Sequence, residues 1–275
     1  MAISLKKRAF DSMRPIKFVY DLVTSVPGSV LVIVGNTKVL CTVSLQKGVP
    51  LFLRNTGKGW LTAEYAMLPN ATEQRTVRDS SSGQRNGRSV EISRLIGRVI
   101  RSVVDLSHIG EKTIYIDCDV LQADGGTRAA AITGTNIALE LAQAAWLEQG
   151  IIKQCILKER IAAISVGLIN NQFILDPDYA QDCLLTADFN IIMTAEGKLI
   201  ELHGGAEKNP IQWDQLEQLH LLGVKGINTY FAIMDTELGT YKYTNATNMA
   251  EKRQSKDSNM FSLGSRLQQA NVLKE

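Results

Sequence analysis

Ten residues, Gln122 to Ala131 (Gln-Ala-Asp-Gly-Gly-Thr-Arg-Ala-Ala-Ala), join two segments of opposite periodicity. Residues 113–120 alternate apolar and polar side chains, the pattern of a strand with one face buried. Residues 132–147 are rich in alanine and leucine and read as a helix. The Gly125-Gly126 pair therefore occupies a strand-to-helix turn. Free N–H groups at a helix start, with Arg128 beside them, form a ready anion site. Glycine lets the backbone approach a ligand with no Cβ in the way. The same residues also fit a tight turn that only packs the helix, and local sequence leaves both readings open.

The rest of the chain groups strands together, with helices after them. Residues 29–34 and 38–43 are β-rich runs around Gly35-Asn36-Thr37, a hairpin. A loop with several breakers spans 46–59, and residues 61–68 form another strand, closed by Pro69. Residues 89–106 carry an apolar stripe at helical spacing: Ile92, Leu95, Ile96, Val99, Ile100, Val103 and Val104. Residues 161–169 and 172–175 form a second hairpin around Asn170-Asn171, and 189–194 pairs with 199–202. Residues 211–234 read as mostly helical, interrupted by Gly223 and Gly226. This order predicts an α+β architecture of two similar halves, a weak internal duplication. The expected divisions are a basic arm (1–12), a first half (13–147), a second half (148–238) and a polar tail (239–275), with a short helix near 263–273. Lys6-Lys7-Arg8 in the arm reads as a solvated terminus.

The formal net charge of +2 does not by itself suggest a nucleic-acid partner. The distribution is more telling. Between Arg75 and Arg101 stand seven arginines, opposed only by Asp79 and Glu91. That local surplus attracts phosphates whatever the global balance. Arg75, Arg78 and Arg85 lie in the polar loop 70–87, and Arg94, Arg98 and Arg101 flank the helical stripe as a solvated or interface face. Arg88 differs, because it stands where the loop enters the helix, a position suited to an anion.

Residues 176–188 hold four aspartates and no Lys or Arg. Asp176 and Asp178 bracket Pro177 and read as turn formers. Asp182 and Asp188 are six residues apart, and a turn between them can bring both carboxylates to one point. A hard divalent cation such as Mg²⁺ accepts such a pair and keeps several waters.

Composition sets the remaining bounds. The 275 residues can bury one large core or two modest ones. The four cysteines include no CxxC pair, so neither a zinc site nor a disulfide framework is expected. There is no signal-peptide core at the N-terminus and no apolar run of about 20 residues. The expectation is a cytoplasmic protein with no membrane partner. Two arginine-marked helix starts and a pair of aspartates together point to phosphate chemistry with a metal, and the basic loop to a polymer carrying the phosphates. A nuclease, a nucleotidyltransferase or a phosphate-binding scaffold would fit.

Ordered stretches along the chain resemble the ribonuclease PH family of phosphate-dependent 3′ exoribonucleases. They include residues 28–32, 39–42, 59–69, 87–96, 117–128 and 188–194. The resemblance runs from about Arg8 to Met234. It implies that Arg88 binds phosphate, with Gly126, Thr127 and Arg128 as a second phosphate-binding element. It implies that Asp182 and Asp188 are catalytic and hold Mg²⁺ or Mn²⁺, and that Arg75 and Arg78 contact RNA. The implied reaction trims 3′ ends of tRNA precursors with inorganic phosphate as co-substrate, releasing nucleoside diphosphates reversibly. The implied assembly is a hexamer, a trimer of dimers. The chain departs from the family's pattern at Ser4-Leu5-Lys6-Lys7-Arg8, where only the final arginine of an Arg-Pro-Asp-Gly-Arg element matches. It departs again at Asn70, in place of an arginine, and at Gly205, in place of a threonine. These departures leave a catalytically silent RNA-binding ring subunit as the alternative.

Overall fold

The computed structural model describes residues 8–78, 81, 83 and 86–241. The chain divides into two units, 1–231 and 232–275. Of the second, residues 232–241 are described, and they are helical. The expected helix near 263–273 lies outside the described residues.

The first unit is built on two sheets. One has five strands: β1 (Ile16–Tyr20), β2 (Gly28–Val34), β3 (Thr37–Lys47), β4 (Trp60–Met67) and β5 (Lys112–Gln122), in the order β1-β2-β3-β5-β4. All its neighbours are antiparallel except β4 and β5, which run parallel. Helix α1 (Gly87–Val103) makes the crossover between that parallel pair and packs its stripe of Ile92, Leu95, Ile96, Val99, Ile100 and Val103 against β4. The second sheet has four antiparallel strands: β6 (Ile161–Ile169), β7 (Gln172–Leu175), β8 (Ala187–Thr194) and β9 (Leu199–Ala206), in the order β7-β6-β8-β9.

Helix α2 (Thr127–Glu148) lies between the sheets, touching β2 and β3 of the first and β6 of the second. Its apolar residues are spread around the axis rather than in one stripe, as a helix covered on both sides requires. Its polar residues stitch the layers together. The Asn136 side-chain oxygen accepts from Ile161 N–H (3.1 Å), and Gln143 accepts from Ile156 and Leu157 N–H (2.6 and 2.8 Å). Every residue of β6 is buried.

The expected break in the helix after residue 211 is not there. Within the first unit the helix α4 runs unbroken over 213–231. Gly223 and Gly226 serve close packing instead. A Cβ at Gly223 would stand 2.4 Å from Ile191 Cδ1, and one at Gly226 2.7 Å from Leu175 Cδ1. Four short elements escaped the sequence pattern: β1, the one-turn helix α3 (Tyr179–Asp182) and the 3-10 turns Leu51–Leu53 and Leu106–Ile109. The two halves are built as the α+β reading expects, one sheet being mixed and the other antiparallel, with helices packed on them.

Candidate active site

The Gly125-Gly126 turn ends β5 and starts α2. Both glycines have positive φ (76° and 67°), a region an L side chain enters only with strain. Space is restricted as well. A Cβ at Gly125 would fall 2.5 Å from Pro177 O, and one at Gly126 3.0 Å from an Arg14 guanidinium nitrogen. Thr37 locks the turn by accepting from Asp124 N–H (3.0 Å) and donating to Gly125 O (2.7 Å). Gly126 is the cap residue of α2, and no side chain caps that helix start. Its first N–H groups therefore stay available, and the helix dipole adds positive potential there. The start of α1 differs, since the Asn86 side chain accepts from Arg88 N–H (2.9 Å). What α1 offers an anion is the Arg88 side chain, which is exposed and has no ion pair among the described residues.

A second buttress comes from Asp176, Arg14 and Arg8. Asp176 is more than a turn former. It is 3% exposed, with φ of 52°, and forms a buried ion pair with Arg14. Arg14 Nε donates to Asp176 Oδ2 (2.9 Å) and Nη2 to Oδ1 (2.6 Å), while Nη1 donates to Asp124 O. Arg8, expected in a solvated arm, is half-buried and donates to Asp176 O (2.7 Å) and Gln181 Oε1 (3.1 Å). Asp178 caps α3 and forms a capping box with Gln181. This network joins the glycine turn to the segment that presents Asp182.

Six residues predicted from the sequence, Arg88, Gly126, Thr127, Arg128, Asp182 and Asp188, line one cavity of about 420 Å³. Thr127 is buried, and the phenol of Tyr65 donates to its hydroxyl at 2.9 Å. With that lone pair occupied, the Thr127 proton is free to donate elsewhere. Arg128 donates to Glu91 (3.1 Å), and its buried Nε has no partner. Arg75 and Arg78 are exposed in their loop and do not line the cavity, and Arg85 lies outside the described residues. On the face of α1, Arg98 pairs with Glu201, and Arg101 lies over the Trp60 ring and donates to Leu61 O (3.0 Å). Two of the three arginines expected on a free face are thus held within the protein.

The carboxylates carry the electrostatic signature of the site. Burial raises the Asp182 carboxyl above its ordinary range, and Glu207 raises it further against the pull of Arg88, Arg128 and Arg14. Asp188 is pushed up to about 6, first by burial, then by the charge of Asp182, with Arg128 opposing. Asp188 Oδ1 is buried and has no hydrogen-bond partner. An orphaned carboxylate oxygen beside a second carboxylate suits a hard divalent cation. No group of three or more His, Cys, Asp or Glu among the described residues could hold a metal. The pair fits a cation that takes its other oxygens from water and phosphate.

Sequence reasoning missed several cavity residues: Ser165, Asn190, His203 and Glu207. Asn190 was within reach of it, because positions 188 and 190 share one face of β8. Ser165 is its register partner on β6 and donates to its side-chain oxygen (2.9 Å). Glu207, just past β9, carries no local signal.

Comparison with known proteins identifies the family. Domain 1 of the 3′ exoribonuclease family matches residues 12–145, and domain 2 matches residues 159–226. A ribonuclease PH of Bacillus velezensis is 48% identical over 233 residues, covering 84% of this chain and 95% of that protein. One of Neisseria meningitidis serogroup B is 49% identical over 220 residues, covering 80% and 91%. An Archaeoglobus fulgidus exosome structure with RNA bound to the active site matches with a TM-score of 0.72 at 18% identity, covering 84% of this chain and 92% of that one, a likeness of fold. With both halves of its site matched to the family's two domains, and near-half identity across most of its length, the chain belongs to the ribonuclease PH family of 3′ exoribonucleases.

Proposed function

We propose that this protein is a phosphorolytic 3′→5′ exoribonuclease, a tRNA nucleotidyltransferase that trims the 3′ ends of tRNA precursors. The observation that carries the reading is the meeting of Arg88, Thr127 and Arg128 with Asp182 and Asp188 in one cavity. Inorganic phosphate is held by the Arg88 and Arg128 guanidinium groups, the Thr127 hydroxyl and the uncapped N–H groups of α2. One of its oxygens attacks the terminal phosphodiester in line. The bond from phosphorus to the 3′ oxygen of the preceding nucleotide breaks, and that oxygen takes up a proton. The products are a nucleoside diphosphate and an RNA one nucleotide shorter. Catalysis of this kind rests on positioning and electrostatics rather than on covalent work by the protein.

Asp182 and Asp188 would hold Mg²⁺ or Mn²⁺, which supplies stabilisation of the charge on the transferring phosphoryl group and the leaving oxygen. One of the pair also handles the proton of the 3′ oxygen. The phosphodiester bond of the RNA is exchanged for the phosphoanhydride bond of the nucleoside diphosphate, so little free energy is lost, and excess nucleoside diphosphate drives extension. Arg75 and Arg78, exposed in their loop, guide the RNA backbone. A homohexameric ring and a cytoplasmic location complete the reading. No helix among the described residues is long and apolar enough to cross a membrane.

The test is incubation with 3′-extended RNA and Mg²⁺, with and without phosphate. Nucleoside diphosphates should appear only with phosphate. Monophosphates, or release indifferent to phosphate, would overturn the reading. A silent RNA-binding subunit would bind the RNA and release nothing.

A further inference from the structure

Glu91 sits one helical turn after Arg88 on α1, and its two carboxylate oxygens face different elements. Oε2 accepts from an Arg128 guanidinium nitrogen at 3.1 Å, on α2. Oε1 lies 3.6 Å from Nε2 of His203, a cavity residue on β9. Glu91 does not itself line the cavity. Arg128 is only 13% exposed in its side chain, and its buried Nε is unpaired. A long, mostly buried side chain with one terminal nitrogen anchored loses rotamer freedom and is held in one orientation.

We infer that Glu91 is a positioning residue for phosphate: by anchoring one terminal nitrogen of Arg128, which lines the cavity, it fixes that guanidinium for the bound phosphate. This rests on the phosphorolytic reading above. The energetics make the claim specific, because two effects of Glu91 oppose each other. As a negative charge near an anion site it weakens phosphate binding. As the anchor of Arg128 it removes in advance the rotamer entropy that phosphate would otherwise have to overcome. Positioning says the second effect wins.

The test uses the full-length protein and inorganic phosphate as the probe, read by equilibrium phosphate binding and by phosphorolysis. Glu91→Ala removes both charge and anchor. Glu91→Gln removes the charge and keeps an acceptor for Arg128. The Glu91 side chain is 41% exposed, so neither change leaves a core cavity. Glu91→Ala should weaken phosphate binding and raise the phosphate KM by about tenfold, the scale of a lost charge-assisted hydrogen bond. RNA affinity should stay within about twofold, and kcat at saturating phosphate should change far less than KM. Glu91→Gln should recover most of the loss. Phosphate binding that is unchanged or tighter in Glu91→Ala would overturn the inference, as would Glu91→Gln being as impaired as Glu91→Ala. Wild-type release of nucleotides without phosphate would instead refute the phosphorolytic reading, and this role of Glu91 with it.

Discussion

Asp188→Asn should make the metal-free protein more stable while abolishing its activity. In the folded protein the Asp188 carboxyl is held up to about 6, against an ordinary 3.8, by burial and by the neighbouring charges of Asp182 and Glu207. The folded group is thus harder to ionise than the unfolded one. At about 1.36 kcal/mol per pKa unit, this opposes folding by about 3 kcal/mol once both states are ionised. The amide of Asn carries no charge to desolvate, but it is polar and will lack some partners in the same place. A net gain of about 1–3 kcal/mol is expected, or about 2–4 °C in Tm for each kcal/mol. The pH dependence identifies the cause. Below about pH 4 the carboxyl is protonated in both states and the two proteins should melt alike. The gap should open between about pH 4 and 6 and be full above that. Thermal melts of both proteins in EDTA, from pH 4 to 8, measure it. Adding Mg²⁺ should then stabilise the wild type more than the variant, since a cation relieves the repulsion that the substitution has already removed. A variant less stable than the wild type at pH 8, or a stability gap that does not vary with pH, would refute the account of a strained carboxylate pair.

Other expectations are more direct. Arg128→Ala should abolish phosphate-dependent release while RNA still binds, which filter binding and product chromatography separate. Tyr65→Phe removes the donor that occupies one Thr127 lone pair; it should raise the phosphate KM several-fold and leave RNA affinity unchanged, as steady-state kinetics would show. Asp176→Asn leaves Arg14 buried without its counter-charge; denaturant unfolding should show a loss of about 3 kcal/mol. Gly126→Ala places a Cβ at a φ of 67° and 3.0 Å from Arg14; it should cost about 1–2 kcal/mol in the same assay and weaken phosphate binding in calorimetry.

Much of the site was legible because its residues are marked by local chemistry. Glycines at positive φ, an arginine at each of two helix starts and a pair of aspartates beside a strand are features of short segments, and short-range backbone rules govern them. The family resemblance assigned roles to the same residues. The reading failed where a residue's environment comes from distant chain. Asp176 beside Pro177 has the local look of a turn, but Arg14, 162 residues away in sequence, makes it a buried ion-pair partner. Gly223 and Gly226 look like helix breaks, but the sheet they pack on keeps the helix whole. Arg8 looks solvated until its acceptors on the 176–181 segment are in view.

The sequence by itself determined the alternation of strands and helices, the α+β class, the Gly125-Gly126 turn and the six candidate residues that line the cavity. Periodicity and backbone conformation are local properties, and a chain carries them wherever it goes. Only the tertiary structure decided what stands around that turn. It did so by leaving the start of α2 uncapped, wedging Gly125 against Pro177 and setting Asp182 and Asp188 into the same cavity. It also brought in Tyr65, Glu91, His203 and Glu207, whose parts depend on partners from other strands and helices. Burial and charge are sums over neighbours in space, and the two sheets that meet across α2 supply those neighbours.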